Sequence, residues 1–125
     1  MGINFKDALG VHPDALKLRA DRTKILASNI ANESTPGYEA QDMDFGATLR
    51  QLRDSDGVGI SSGLSLDAGA PASLYRVPYH PSRDGNTVEI GVEQAAFSQN
   101  ASDFQTSLTF INMQLRGLAK AIAGQ

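Results

Sequence analysis

Two heptad-spaced apolar seams lie at the ends of this 125-residue chain, with nothing comparable between them. Toward the C-terminus, Phe97, Ala101, Phe104, Leu108, Ile111, Leu115, Leu118 and Ile122 recur at alternating steps of four and three. An average of about 3.5 residues keeps one helix face against a partner helix, so this spacing predicts a long helix with a coiled-coil seam. Toward the N-terminus, Leu16, Ala20, Thr23, Ala27 and Ile30 follow the same rhythm more weakly. The expected fold is mainly α, its N- and C-terminal helices pairing as a coiled coil around a flexible or partly extended middle. Such a chain suits packing against other helices, as an assembly subunit does, better than enclosing a pocket.

The middle explains why one compact core is not expected. From Arg53 to Ala72 the large apolar residues are Val58, Ile60, Leu64 and Leu66, set among Gly, Ser, Asp and Ala. That composition reads as a linker. The chain accordingly divides into 1–53 (N-terminal helix, turn and short helix), a flexible linker at 54–82, and the C-terminal coiled-coil helix at 83–125.

Charge narrows the partners. The net charge is −3, with 7 basic and 9 acidic side chains in residues 1–56 and 4 and 5 in residues 57–125. No basic stripe exists to displace counterions from a phosphate backbone, and no polybasic patch to meet a membrane surface, so nucleic acid is not an expected partner. The chain has no cysteine, which removes disulfides and thiolate sites. Lys6, Asp7, Asp14, Lys17 and Arg19 interrupt the start, which lacks the apolar core of a secretory signal.

Local signals place the elements. His12-Pro13 punctuates the chain, and Pro13 with Asp14 suits a first helical turn. A helix is expected from about Pro13 to Asn32. It carries a second apolar line, Val11, Leu18 and Ile25, and two lines ask for neighbours on two sides. Pro36 disfavours helix at Thr35. Thr35-Pro36-Gly37-Tyr38 reads as a type II turn, glycine supplying positive φ at its third position, and Asn32 as a left-handed cap. Met43, Phe45, Leu49 and Leu52 are spaced like a short helix within 39–53. Leu74 to Pro81 is expected to be extended, Asp84-Gly85-Asn86 to turn, and Thr87 to Ile90 to be β-prone. The last helix should run from about Gly91–Glu93 to Ala123, with Val92, Phe110 and Met113 away from its seam.

No catalytic, metal or cofactor site is expected. His12 and His80 each precede proline and lack a ligand partner at metal spacing. The pairs Asp42/Asp44 and Asp54/Asp56 fit no calcium-loop pattern and read as solvated surface charge. Nucleophile–base spacing and phosphate-binding glycine loops are absent.

Residues 26–38 run L-A-S-N-I-A-N-E-S-T-P-G-Y. This resembles the N-terminal signature of the bacterial flagellar rod, hook and hook-associated protein family, an Asn-x-x-Asn-x-x-Thr-Pro-Gly-Tyr core closing the first helix. Glu33 stands where alanine is commoner. Asp42 to Phe45, Asp84 to Glu89 and Ser107 to Asn112 are similar to the proximal rod subunits of that family, which lack the large inserted domains of distal members. The resemblance covers residues 8–53 and 83–123. It implies a non-enzymatic structural subunit with Asn29, Asn32, Thr35, Pro36, Gly37 and Tyr38 in the signature turn and the two seams as assembly surface. It implies export through the flagellar type III apparatus without a cleaved signal, helical stacking with itself and other rod subunits, a place in the periplasm-spanning rod of the basal body, and contact with the membrane-ring adaptor, FliE. No cofactor or small-molecule substrate is implied. Two other classes compete: a non-polymerising helical interaction module or adaptor exported by the same apparatus, and a glycan-cleaving enzyme, which would need two carboxylates converging in a cleft.

Overall fold

A computed structural model describes residues 8–55 and 73–124. The element order is α1 (His12–Ala31), β1 (Gln41–Met43), α2 (Phe45–Ser55), β2 (Ser73–Tyr75) and α3 (Ile90–Ala123). The chain is mainly helical, and its two terminal helices pack on one another.

The pairing is antiparallel. Asn29 meets Glu93, Thr23 meets Asn100, Arg19 meets Asp103, and the His12 ring stacks on Phe110 at 5.5 Å. Positions rise along α3 as they fall along α1. The helices differ in length, 20 residues in α1 against 34 in α3. At about 1.5 Å per residue, α3 is roughly 50 Å long and α1 roughly 30 Å, so α3 continues past the start of α1.

Local features mark the starts of α1 and α2 and the end of α3. Pro13 stands in the first turn of α1, where a missing N–H costs nothing, and Asp14 faces the positive end of the helix dipole. Asp44 caps α2: its Oδ1 accepts the Ala47 N–H at 2.9 Å. α3 stops at Gly124, left-handed at φ 71°, whose N–H reaches back to Ala121 and Lys120 carbonyls.

Three expectations change. The helix-like spacing of 39–53 conceals a strand, because Gln41–Met43 pairs antiparallel with β2 before α2 begins at Phe45. That strand has its partner some thirty residues away, which no local pattern reveals. Thr87–Glu89 forms no strand and Ile90 already belongs to α3; Thr87 instead sends its N–H to Tyr38 O at 3.0 Å. Asn32 does cap α1, but at φ −103° and ψ 18°, not in the left-handed region. The expected extended piece at Leu74–Pro81 overlaps β2 at Leu74 and Tyr75. Of the linker expected over 54–82, residues 56–72 lie outside the described residues.

Among the described residues the apolar core is small: Ala15, Leu18, Leu26, Ala40 and Met43. As many polar residues are buried: Asn29, Asn86, Glu93, Asn100 and Ser107. A core that polar shifts the burden of cohesion from apolar burial to hydrogen bonds and ion pairs.

Candidate assembly interface and signature turn

The turn after α1 is built from side chains that replace backbone partners. Gly37 has φ 71° and Tyr38 N–H reaches Thr35 O at 3.3 Å, the positive φ and closing bond of a type II turn. Asn32 holds the approach to it, its Nδ2 donating to Ser28 O at 2.8 Å and its Oδ1 accepting from the Thr35 hydroxyl at 3.1 Å.

Asn29 is wholly buried and acts as a false strand. Its Oδ1 accepts the Gln41 N–H at 3.1 Å, while its Nδ2 donates to Gln41 O at 2.6 Å and to Glu93 Oε2 at 2.9 Å. The Tyr38 hydroxyl also donates to Asn29 Oδ1, at 3.3 Å. One carboxamide thereby fixes where the chain leaves α1, where β1 starts and where α3 begins.

Asn86 performs the matching task from the other side. Its Nδ2 lies 2.9, 2.7 and 2.8 Å from the carbonyls of Asn32, Glu33 and Thr35, so two N–H groups serve three acceptors at the end of α1. Gly37 N–H donates to Asp84 O at 2.9 Å. The Asp84-Gly85-Asn86 turn is therefore the receptor for the Thr-Pro-Gly-Tyr turn. Sequence reading saw a turn there and a likeness to rod subunits, but not the partner it holds.

Two arginines and two acids close the arrangement. Arg22 grips Asp42 with both forks, Nε to Oδ1 and Nη2 to Oδ2 at 2.9 Å each. Arg76 bridges, with Nη2 on Asp42 Oδ2 at 2.8 Å and Nη1 on Glu93 Oε1 at 2.6 Å. Burial pushes the Asp42 carboxyl up, but Arg22, the Met43 amide and Arg76 together outweigh it and hold Asp42 below its ordinary value. The bond to Asp42 raises Arg22 in turn, against burial. Asp42 is thus no solvated surface acid. Asp44 remains exposed as a helix cap, and Asp56 lies outside the described residues.

Along α3 the line turned fully inward is polar and repeats every seven residues: Glu93, Asn100 and Ser107 are buried, and Gln114 is half-buried. Asn100 Nδ2 donates to Arg19 O and to Thr23 Oγ1, both at 2.9 Å. Oδ1 of Asn100 and Oε1 of Gln114 are buried and accept no hydrogen bond from the described residues. The apolar seam flanks this line: Phe97, Phe104, Leu108, Ile111 and Leu118 are half-buried, and Ala101, Leu115 and Ile122 are exposed. On α1, Leu16, Ala20, Thr23 and Ile30 are half-buried and Ala27 is exposed, while Ala15, Leu18, Leu26 and Asn29 face inward. Within one copy, the seam residues are flanks rather than centre. Of the signature residues, Asn29 is buried, Asn32 and Tyr38 half-buried, and Thr35, Pro36 and Gly37 exposed.

The two histidines hold nothing together as ligands: His12 stacks on Phe110, and His80 donates its backbone N–H to Glu89 at 3.3 Å. Among the described residues no three metal-binding side chains converge, and no helix is long and apolar enough to cross a membrane.

A hairpin of unequal terminal helices, closed by interlocking turns and carrying its apolar seam on the flanks, defines a structural helical subunit. The family described as "Flagella basal body rod protein" matches residues 9–38, the span from the start of α1 through the signature turn. The "Flagellar basal body rod protein FlgB" of Cereibacter sphaeroides is 47% identical over 97% of this chain and 98% of its own length. The proteins of the same name from Aeromonas hydrophila and Salmonella typhimurium are 39% and 40% identical, covering 100% and 94% of this chain and 99% and 94% of their own lengths. The chain belongs to the FlgB family of flagellar basal body rod proteins. Membership makes it a structural component of the rod, located in the flagellar basal body.

Proposed function

We propose that this chain polymerises helically through its terminal helices to build the proximal rod, the drive shaft that motility requires. One observation carries the reading. α3 spends Glu93 and Asn100 of its polar heptad line on its own α1 and leaves the apolar seam half-covered or bare. Full burial of a large seam residue stabilises by about 1.5–3 kcal/mol. Phe97, Phe104, Leu108, Ile111 and Leu118 collect only part of that in one copy, and neighbouring helices supply the rest. The partners are copies of the chain and other rod subunits along the shaft, FliE at the base, and the flagellar type III export apparatus before assembly. No step involves nucleic acid or a small-molecule substrate, and the chain performs no catalysis.

The test is sedimentation velocity of the purified chain across a wide concentration range, beside Leu108→Asp. Polymerisation predicts association that grows with concentration and is lost in the variant, because a buried carboxylate lacks a partner. A stable folded monomer at every concentration would favour the non-polymerising helical module instead.

A further inference from the structure

We propose that the arm at residues 74–79 receives the C-terminal end of α3 from a second copy of this chain, in a head-to-tail contact. The proposal rests on the polymerising reading above and names the surface that reading leaves open.

The arm is apolar, exposed and yet fixed. Leu74, Tyr75, Val77 and Tyr79 are 58%, 66%, 84% and 78% exposed. Exposure of that size on a loose loop would mean little, but this segment is tied at three levels. Its first part pairs with β1, Tyr75 opposite Gln41. Arg76 donates its N–H to Ala40 O at 2.8 Å and sends its guanidinium inward to Asp42 and Glu93. Tyr79 N–H reaches the Glu89 carboxylate at 3.0 Å. Side chains alternate along an extended chain, so anchoring Arg76 inward turns Tyr75 and Val77 outward. The ordering entropy of this surface is already met before anything binds.

The occupant is indicated by the other end of the molecule. α1 begins at His12, whose ring stacks on Phe110, and residues 111–123 of α3 continue beyond that point for about 20 Å. Met113, Leu115 and Ile122 stand 62%, 42% and 66% exposed there. The charges match as well. From Phe104 onward the only ionised side chains are Arg116 and Lys120, both exposed. Residues 33–44 hold Glu33, Glu39, Asp42 and Asp44 and no base; Asp42 is spent on Arg22 and Arg76, and the others are exposed. Glu39 lies one step beyond Ala40, the partner of Arg76, and so beside Val77. Arg83, four residues past Tyr79, is an exposed base on the arm's side; Glu39 beside Val77 is the acid placed to meet Arg116 or Lys120.

Within one copy these surfaces cannot meet. The arm is held at Glu93, and Ile122 lies about 44 Å further along α3. The contact is therefore heterologous, each copy offering one surface and accepting the other, which builds an open chain of subunits where the rotation between copies does not close a ring.

The chain has no cysteine, so paired thiols report the contact directly. Val77→Cys and Ile122→Cys are made in separate chains, mixed and oxidised; a disulfide forms only when Cα atoms approach within about 7 Å. The mixture should give a Val77–Ile122 linked dimer, with each variant alone staying at least tenfold less cross-linked. Adding Arg116→Glu with Lys120→Glu should cut the mixed dimer at least tenfold, and Glu33→Lys with Glu39→Lys should restore it. Equal cross-linking of either variant with itself, or no mixed dimer at any concentration, would overturn the contact. So would a mixed dimer seen only after removing residues 2–7, since the chain's own start would then be the occupant of the α3 end. The rod reading is scored separately by swimming of the host. Cysteine variants that restore swimming without forming the disulfide would remove this contact and leave the rod; the disulfide in a chain whose gene is dispensable for swimming would do the reverse.

Discussion

Asn29 and Glu93, 64 positions apart, share a 2.9 Å hydrogen bond with neither side chain exposed. Asn29 belongs to the signature that closes α1, and Glu93 to the first turn of α3. The bond therefore joins the two ends of the chain where the resemblance to rod proteins is carried. Arg76 neutralises the same glutamate and brings β2 into the junction. Three segments meet at one buried carboxylate.

Arg76→Ala should be costly. It strips a fully buried Glu93 of its cation, and breaking such a pair destabilises by about 3–5 kcal/mol. Urea unfolding would read this as a lower midpoint with an unchanged slope, and Arg76→Ala combined with Glu93→Gln should recover part of the loss.

Acid should loosen the junction with a definite sign. Asp42 is held below its ordinary value of 3.8 in the folded chain, so the folded state binds protons less readily than the unfolded one. Its stabilisation is full above 3.8 and is lost as pH falls through the depressed folded value. Unfolding free energy followed by urea titration should drop below that pH, and Asp42→Asn should flatten the drop while lowering stability at neutral pH.

Gly37 tests the turn. At φ 71° a Cβ would meet no atom within 4 Å, so the cost of a side chain is backbone strain alone. Gly37→Ala should lose about 1 kcal/mol and Gly37→Val more, whereas Gly37→Asn, which tolerates that region, should lose least. Thermal unfolding of the three variants orders them.

Leu26 and Leu115 should separate folding from assembly. Leu26 is wholly buried, and Leu26→Ala should cost about 2–5 kcal/mol of monomer stability. Leu115 is 42% exposed, so Leu115→Ala should change monomer unfolding little while weakening the concentration-dependent association seen by sedimentation.

What sequence reading reached and missed follows from the range of the physics involved. The Pro36-Gly37 turn is legible because proline and glycine act on their own dihedrals, and the two long helices because heptads repeat within each. Asp42 is misread as solvated because its partners Arg22 and Arg76 lie 20 and 34 positions away. Glu93 and Asn100 look like a solvent face, since buried polar residues and exposed ones are identical in a hydropathy pattern. A heptad of polar residues inside a heptad of apolar ones is the one trace they leave. β1 is hidden for a related reason, because its neighbours Phe45, Leu49 and Leu52 impose helical spacing on any window that contains it.

The most direct measurement is electron microscopy of basal bodies from the natural host with this gene deleted, complemented by the intact gene or by Phe104→Asp. The account predicts membrane rings without a rod and no swimming in the deletion, both restored by the intact gene. Phe104→Asp should be exported yet fail to restore the rod, because its carboxylate is desolvated in the seam. Complete rods and normal swimming in the deletion, or in the Phe104→Asp strain, would contradict the claim that these terminal helices build the shaft.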